Sequence, residues 1–364
     1  MPLSREQVTS ALRAVQDPEL FKDIVTLNMV KDVAIDGSDV TVTVELTTPA
    51  CPMKDVIERD VTAALRKAGA VGVKVNLTAP SKGAGGAGTA VAGGEKKSVL
   101  PQVKNVIAVG AGKGGVGKST VALNLAVGLQ RTGARVGLMD GDVYGPSMPT
   151  MLGIKGDVPD VRGSKILPFM VHGIYAVTIG ALVEQDKPLI WRGPMAQGAF
   201  KQLLVDNVEW PDLDYLVVDL PPGTGDVPLT LCQLLPPTGA IIVATPQQVA
   251  LDDAIRAAKM FQQLGTPILG VVENMSFFVA PDGTTHDIFG RGGTRTAAEK
   301  LELPFLGEIP MFTELRSNCD AGRPHANFEG NRQLREVLEA FVRAAAGAVS
   351  QRNLQPAGPV LNIS

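Results

Sequence analysis

The sequence predicts an α/β protein whose main domain is a doubly wound, mostly parallel sheet, preceded by a small α/β (α+β) domain. From residue 105 to residue 346, short apolar runs alternate with helical or loop segments, as in a parallel sheet with both faces covered by helices. A glycine-rich segment follows the first run, and a Gly/Ala-rich stretch separates this region from the first 80 residues. The predicted strands of the main domain are 106–109, 135–139, 174–179, 215–219, 240–244, 268–272 and 305–306.

The small domain, residues 1–80, is predicted from helical and alternating patterns. Apolar positions at helical spacing run to Val15, with Ser4 as the N-cap. Cys51 lies between a predicted strand and a predicted helix, where a helix N-terminus can lower the pKa of a thiol. On chemistry alone, the alternative is an inert, half-buried cysteine. The further predicted elements are a strand at 40–46, a helix at 55–68 and a strand at 71–77.

Composition sets the other predicted boundaries. Residues 81–99 are rich in Gly and Ala and lack apolar periodicity, so we expect a flexible linker. Residues 100–349 form the sheet domain. Residues 350–364 contain two prolines and little periodicity, which predicts a disordered tail.

Composition also narrows the class of function. The chain of 364 residues is 45% hydrophobic and 20% charged, the balance of a soluble globular protein. No apolar run approaches the roughly 18 to 20 residues of a membrane span, and no signal-peptide pattern is present, so we expect a cytoplasmic protein without a membrane partner. The formal charge of −3 argues against a nucleic-acid partner. The three cysteines form no CxxC pair, so one chain cannot supply four thiolates to a metal site.

The segment GKGGVGKST after the first strand predicts a phosphate-binding loop. Gly112, Gly117, Lys118 and Ser119 fit the pattern GxxxxGK[ST]. A strand, a glycine-rich loop and a helix in this order place bare backbone N–H groups at a helix N-terminus, where they bind an anion. Lys118 then reaches the β- and γ-phosphates of ATP, and the Ser119 hydroxyl binds Mg²⁺. The predicted nucleotide-binding residues here are Gly112, Lys113, Gly114, Gly115, Val116, Gly117, Lys118, Ser119 and Thr120.

Carboxylates stand at the ends of two further predicted strands. Asp140 and Asp142 follow one strand, and Asp219 ends another. Phosphoryl transfer needs one group to orient the attacking water and others to hold Mg²⁺. We assign Asp219 to Mg²⁺ through a water molecule and expect the Gly223 backbone N–H to sense the γ-phosphate. For Asp140 and Asp142, the alternative is to cap the following turn.

Lys113, directly after the first glycine, completes the pattern KGGxGK[ST]. This pattern resembles the deviant Walker A ATPases, which include nitrogenase iron protein, MinD, ParA and the Mrp/ApbC proteins. The resemblance implies a homodimer held together by ATP, in which the catalytic Lys113 reaches the partner's nucleotide and acts with Lys118. It also implies that Asp142 positions the attacking water and that Asp140 lies in the outer shell of Mg²⁺. Asn274, after a predicted strand, would pair with adenine, although an asparagine there is more commonly a turn residue.

Further motifs resemble one branch of that superfamily. The motifs LMDGDVYGPSMP, WRGPM, DYLVVDLPPGTGDVPLT, ENMSFF and IFGRGG are together similar to the Mrp/ApbC proteins. In the first domain, DPEL and TTPACP resemble the MIP/PaaD-type domain of iron–sulfur and metal-centre assembly proteins. The resemblance implies an ATPase that carries iron–sulfur clusters, with apo iron–sulfur proteins and assembly scaffolds as partners.

The chain departs from that branch after ENMS. Many members carry CPxC there, and two such pairs across a dimer would supply the four thiolates of a [4Fe–4S] cluster, whereas this chain has Ala280 and Asp282 around Pro281. Cys51, which matches the functional cysteine of the resembling small domain, and Cys319 are the remaining candidate ligands. Three functions stay open. They are a cluster carrier, a nucleotide-dependent dimeric switch or adaptor without a bound cluster, and a ParA/MinD-like positioning ATPase, which the branch motifs disfavour.

Overall fold

A computed structural model of the chain describes residues 3–17, 22–46, 54–78, 99–181, 193–280 and 282–354. These residues belong to two compact units, of which the larger spans residues 95–345. Cys51, residues 81–98 of the predicted linker and the first two residues of WRGPM lie outside the described residues. The predicted domain boundaries stay predictions.

The described part of the smaller unit contains two helices and a three-stranded sheet. Strand β2 is central, antiparallel to β1 and parallel to β3. The core forms where the helices bury Val8, Leu12, Ile57 and Leu65 together with the inward side of β2. The elements are α1 (Arg5–Leu12), β1 (Val30–Asp36), β2 (Asp39–Glu45), α2 (Lys54–Lys67) and β3 (Val73–Thr78).

Local sequence explains most of this unit. Ser4 is the N-cap of α1, as predicted, and forms a capping box with Gln7. Strand β1 was not predicted, because its sequence VKDVAID carries three charged residues and its side chains are only partly buried. Edge strands with one solvated face often show such a weak alternation.

The larger unit is built on a nine-stranded sheet with helices between its strands. Its strands are β4 (Val103–Gly110), β5 (Val136–Asp140), β6 (Val161–Arg162), β7 (Lys165–Ile166), β8 (Phe169–Val171), β9 (Ile174–Thr178), β10 (Leu213–Asp219), β11 (Gly239–Ala244), β12 (Ile268–Val279), β13 (Thr285–His286) and β14 (Phe305–Met311). Its helices are α3 (Lys118–Arg131), α4 (Met148–Leu152), α5 (Gly193–Lys201), α6 (Asp226–Leu234), α7 (Gln248–Gln263), α8 (Gly293–Lys300), α9 (Thr313–Asp320) and α10 (Arg332–Leu354). Short 3₁₀ helices lie at Ile179–Ala181 and Pro324–Phe328, and a π-helical turn lies at Gln202–Asp206.

The sheet has the order β13-β12-β11-β4-β10-β5-β9-β8, and β14 pairs with β12; β6 and β7 form a separate hairpin. All pairs in the large sheet are parallel except β12 with β13 and β8 with β9. The predicted mostly parallel α/β sheet is confirmed. Strand β4, which leads into the glycine-rich segment, is central and almost entirely buried. None of the helices in the described ranges combines the length and apolar character needed to cross a bilayer.

Several predicted boundaries were wrong, among them the end of β14, which runs to Met311 and not to residue 306. Strand β12 does not end at residue 272 but continues to Val279, so Asn274 lies within the strand and not after it. The strand bulges directly after Asn274, where Met275 has a φ of 56° and the register with β14 shifts. Helix α10 extends to Leu354, so residues 350–354 are helical and not part of a disordered tail. No proline occurs between Arg332 and Pro356, and residues 355–364 lie outside the described part.

Candidate functional site

The predicted phosphate loop joins β4 to α3 at the carboxyl end of the central strand. Gly117 is the N-cap of α3, with a φ of 79°, in a region that favours glycine. A Cβ on Gly117 would lie 2.2 Å from Asn274 Nδ2, and one on Gly112 would lie 2.1 Å from the backbone carbonyl carbon of Asp253. The N–H groups of residues 118–120 stand in the first turn of α3, where the helix favours anions. The loop therefore has the backbone geometry of a phosphate site.

Predicted catalytic and metal-binding side chains gather at this loop. Lys118 Nζ lies 2.6 Å from Asp219 Oδ1, 3.5 Å from Asp142 Oδ2 and 3.3 Å from Ser119 Oγ. Lys118 is only 6% exposed and Asp219 is 0% exposed. Parallel strands that end at one edge of a sheet bring these distant chain segments together. The charged groups of Lys118, Asp142 and Asp219 are thus held in a site that is largely shielded from solvent.

The residues present fit Mg²⁺. Asp142 Oδ1 and Asp219 Oδ2 are buried and have no hydrogen-bond partner among the described protein atoms, a condition that costs about 1–3 kcal/mol per group. Mg²⁺ takes oxygen ligands and is held mainly by phosphates, water and one or two protein groups. Accordingly, the described ranges hold no group of three or more His, Cys, Asp or Glu residues suited to bind a metal ion by themselves. Ser119 and Asp219 stay the predicted protein contacts to the ion.

Asp140 has the role that the sequence left open as its alternative, which is to cap the segment that follows β5. Its buried carboxylate accepts hydrogen bonds from the Asp142 N–H at 3.2 Å, the Met148 N–H at 3.3 Å and the Thr178 hydroxyl at 2.9 Å. Burial and the nearby Asp219 carboxylate raise the pKa of Asp140 to about 7. Burial also raises the pKa of Asp219, against the opposing charge of Lys118. Asp140 therefore holds the segment after β5 in place, and its position in the outer shell of Mg²⁺ stays a prediction.

The structure places the Gly223 backbone differently from the prediction. Its N–H donates to the Ala111 carbonyl at 2.8 Å, so in this conformation it is not available to a γ-phosphate. The bond instead ties the segment after Asp219 to the start of the phosphate loop. The predicted contact requires this bond to open when nucleotide binds.

Lys113 and Asn274 occupy contrasting positions. Lys113 is half-buried in the loop, and its ammonium group forms no ion pair with the described residues. Asn274 is buried, and its Nδ2 donates to the Val116 carbonyl at 2.9 Å. One N–H of the amide is therefore engaged within the protein, and the pairing of Asn274 with adenine stays a prediction.

Residues 102–346 match the family model of the NUBPL iron-transfer P-loop NTPases, which covers well over half of the chain. This chain belongs to the NUBPL iron-transfer P-loop NTPases. Residues 5–77 match a second model, described as an iron-sulfur cluster assembly protein. Membership in this NTPase family makes the chain an ATPase that uses Mg²⁺.

Relatives and solved structures agree with this assignment. The NTPase is 46% identical to the iron-sulfur cluster carrier protein of Synechocystis sp., over 97% of this chain and 99% of that protein. It is 48% identical to the iron-sulfur cluster carrier protein of Deinococcus radiodurans, over 94% of this chain and 95% of that protein. The nucleotide-binding protein of Archaeoglobus fulgidus, solved with ADP, is similar with a TM-score of 0.55 and 36% identity, over 65% of this chain and 93% of that chain.

Sequence reasoning missed two side chains that shape the NTPase site. Thr178 at the end of β9 bonds to Asp140, as described above. Glu273, fully buried beside Asn274, accepts the N–H groups of Gly292 and Thr294 at 2.9 Å and 2.8 Å and so caps α8. The sequence did contain a signal for this cap. A glutamate stands at the end of an apolar run, and a Gly-Gly pair precedes the later helical segment.

The two cysteines that the structure describes, Cys232 and Cys319, lie in different surroundings. Cys319 is buried, with the amides of Asn124 and Asn327 at 3.9 Å and 3.7 Å from its sulfur, and burial raises the pKa of its thiol. This environment disfavours the thiolate that a cluster ligand requires, so the structure does not support Cys319 as a ligand. Cys232 is half-buried on α6 beside Thr266, and burial raises the pKa of its thiol as well.

Proposed function

We propose that this NTPase is a homodimeric carrier that binds iron–sulfur clusters as cargo and transfers them to apo-proteins, using ATP. The observation that carries the proposal is that one chain joins an iron-sulfur cluster assembly domain to an iron-transfer P-loop NTPase. Relatives named iron-sulfur cluster carrier protein align over nearly the whole length of this chain, which supports the same function for both parts together. Assembly scaffolds that donate the cluster and apo-proteins that accept it are the proposed partners.

The site geometry supports a division of work during ATP hydrolysis. The loop N–H groups and Lys118 bind the phosphates, and Asp142 orients the attacking water through its unpaired carboxylate oxygen. Bound Mg²⁺, held with the help of Ser119 and Asp219, supplies positive charge to the phosphate oxygens. Asp140 keeps the segment that carries Asp142 in position. The Gly223 bond to the loop is the contact that nucleotide binding would rearrange.

ATP-dependent pairing of two chains is proposed to depend on Lys113. In the Lys113→Ala variant, we expect nucleotide-dependent dimerisation to be lost and ATP hydrolysis to fall about 10²-fold or more. The variant lacks the positively charged ammonium group that is proposed to stabilise the phosphate during transfer. The measurement is light scattering with ADP and with a non-hydrolysable ATP analogue, together with phosphate release.

The matched control is Lys155→Ala, since Lys155 is an exposed lysine of the same unit, outside the loop. This control should dimerise and hydrolyse ATP as the unaltered chain does. Unchanged hydrolysis in Lys113→Ala, with no nucleotide-dependent dimer in the unaltered chain, would reject the crossed-lysine dimer.

We propose Cys51 as the thiol that handles the cluster. The buried environment of Cys319 and the Thr266 contact of Cys232 favour packing roles for both of these cysteines. A [4Fe–4S] cluster takes four thiolates, and the chain has three cysteines in all, so thiolates from a second chain or a partner protein would complete the set. Free cysteines also suit a reducing compartment, and we propose a cytoplasmic location.

Anaerobic reconstitution with iron and sulfide tests this proposal. We expect cluster absorbance, and transfer to an apo-ferredoxin, in the unaltered chain and in Cys319→Ser and Cys232→Ala. Both signals should fall at least tenfold in Cys51→Ala, because that variant lacks the thiol proposed to bind the cluster. A cluster that survives in Cys51→Ala and disappears in Cys319→Ser would refute the assignment of Cys51.

A nucleotide-dependent adaptor without a cluster is the second candidate function. It is favoured by the hairpin of β12 and β13, where the CPxC motif of the resembling proteins is absent. Asp282 Oδ1 accepts the Thr284 N–H at 2.9 Å, and the Ala280 N–H donates to the Thr284 carbonyl at 2.9 Å. These hydrogen bonds join polar groups within the turn to one another. Absence of cluster absorbance and of transfer in the unaltered chain would favour this second function.

A further inference from the structure

We infer that Asn327 is a positioning residue for ATP hydrolysis, which holds the first turn of α3 in place through the side chain of Asn124. Neither residue belongs to the glycine-rich loop, and none of the sequence motifs assigns a task to either of them. This role rests on the work proposed above for Ser119 and the loop N–H groups in ATP hydrolysis, and it deepens the account of that site.

Three asparagines form a continuous hydrogen-bonded network that ends on α3. Asn318 Nδ2 lies 3.0 Å from Asn327 Oδ1, and Asn327 Nδ2 lies 2.9 Å from Asn124 Oδ1. Asn124 Nδ2 in turn lies 2.8 Å from the Thr120 carbonyl oxygen. Asn124 is 1% exposed and Asn327 is 0% exposed. The asparagine network therefore joins α9 and the 3₁₀ helix Pro324–Phe328 to the third residue of α3.

One carbonyl fixes the direction of every bond in the asparagine network. Since a carbonyl only accepts, Asn124 turns its Nδ2 toward Thr120 and its Oδ1 toward Asn327. Asn327 must then donate to that oxygen, which leaves its own Oδ1 to accept from Asn318. The Cys319 sulfur lies 3.9 Å from Asn124 Nδ2 and 3.7 Å from Asn327 Nδ2. The two buried amides thus have a single arrangement in which both nitrogens donate and both oxygens accept.

Stability alone does not account for two amides at this place. The α3 residues 121–129 are all buried, and Asn124 is the polar side chain among them. Asparagine is a poor helix former, and replacing both partners of a buried hydrogen bond by apolar groups of similar shape can be nearly neutral. Two leucines would therefore fill a purely packing role about as well. What the amides add is a directed bond to the Thr120 carbonyl.

The bond to Thr120 acts on the turn that is proposed to bind phosphate and Mg²⁺. Thr120 directly follows Ser119, and both stand in the first turn of α3, where N–H groups favour an anion. The other end of the network is held by close packing, because a Cβ on Gly128 of α3 would lie 3.1 Å from Phe328 Cζ. Asn327, which precedes Phe328, is thus fixed against α3. A misplacement of about 1 Å at a catalytic site can slow a reaction about 10²-fold.

Phosphate release at increasing Mg²⁺ concentration, beside urea unfolding, tests this role. In Asn327→Leu we expect kcat to fall about tenfold to 10²-fold and the Mg²⁺ concentration for half the maximal rate to rise, because the first turn of α3 is displaced. Stability should fall as well, since Asn124 Oδ1 is left buried without its donor. In the double variant with Asn124→Leu and Asn327→Leu, stability should return toward its original value, whereas kcat and the Mg²⁺ requirement should stay altered. A purely packing role would restore all three together.

Asn105→Leu is the matched control, since Asn105 is a buried asparagine of the same unit, whose Nδ2 donates to the Asp214 carbonyl at 3.1 Å. It should lower stability and leave kcat and the Mg²⁺ requirement unchanged. The inference is overturned if hydrolysis recovers together with stability in the double variant. It is also overturned if Asn327→Leu hydrolyses ATP as the unaltered chain does, or if Asn105→Leu slows hydrolysis equally.

Asn318→Ala decides the question if the leucine variants do not fold. Asn318 is only partly buried, so this variant should fold, and its kcat should fall about threefold because Asn327 loses one of the bonds that orient its amide. An unchanged kcat in Asn318→Ala would overturn the inference. Failure of the unaltered chain to hydrolyse ATP would instead overturn the proposed function.

Discussion

Replacing Lys118 with alanine is expected to abolish measurable ATP and ADP binding. The ammonium group lies 2.6 Å from Asp219 and 3.5 Å from Asp142, and without it the phosphates would meet two carboxylates and no compensating side-chain charge. The free protein should also lose about 3–5 kcal/mol of unfolding free energy, since removing one partner of a buried ion pair strands the other. Calorimetry measures the binding, and urea unfolding without nucleotide measures the stability.

Lys104→Ala is the control for this loss. Lys104 pairs with Asp214 at 2.9 Å, and its side chain is 31% exposed, so a partly solvated pair is removed at the other end of β4. Such pairs contribute about 1 kcal/mol or less, and nucleotide affinity should not change. Retention of ADP affinity by a folded Lys118→Ala variant would show that the loop binds phosphate without its lysine and would contradict the assigned role.

Replacing Asp142 with asparagine is expected to leave nucleotide binding intact and to slow ATP hydrolysis by about 10²–10⁴-fold. Lys118 keeps its nearer partner Asp219, so the charge balance at the phosphates changes little. The carboxylate that would orient water is lost, however, and its buried Oδ1 has no hydrogen-bond partner among the described residues. Phosphate release under single-turnover conditions, beside ADP calorimetry, separates hydrolysis from binding.

Asp226→Asn is the control for the loss of a carboxylate. Asp226 is exposed in the first turn of α6 and follows the same glycine-bearing segment as Gly223. Hydrolysis should stay within about twofold of the original rate, because surface charges make small contributions. An equal loss of binding and hydrolysis in Asp142→Asn would assign Asp142 to the ground-state phosphate site and not to the attacking water.

The sheet and the phosphate loop were predictable because their signals are local. Buried parallel strands require continuous apolar runs, and the loop requires glycine at fixed offsets from Lys118 and Ser119. Asp140, Asp142 and Asp219 stand at strand ends, and parallel strands place such ends at one edge of the sheet. Their meeting therefore follows from the topology without knowledge of any single contact.

Other parts of the site depend on contacts between distant segments. Nothing in the sequence around Asn274 shows that its amide bonds to Val116, because the bulge that continues β12 arises from pairing with β14. The bond between Gly223 and Ala111 and the bond between Thr178 and Asp140 likewise join segments that are far apart in the sequence. Strand β1 was not predicted because its three charged residues obscure the alternation of apolar and polar residues that identifies a strand.

The central position of β4 also dictates when the nucleotide site can form during synthesis. Val103 pairs with Leu213, and Ile107 pairs with Gly239, so the strand that carries the loop gains its two neighbours only after much of the chain has left the ribosome. Such non-local pairing folds slowly, and domains synthesised first generally fold first. The helices and sheet of residues 3–78 can therefore form while the ATPase is still being made. Nascent chains that stop before Asn274 lack its hydrogen bond to the Val116 carbonyl of the loop, so ATP can stabilise this protein only late in its synthesis.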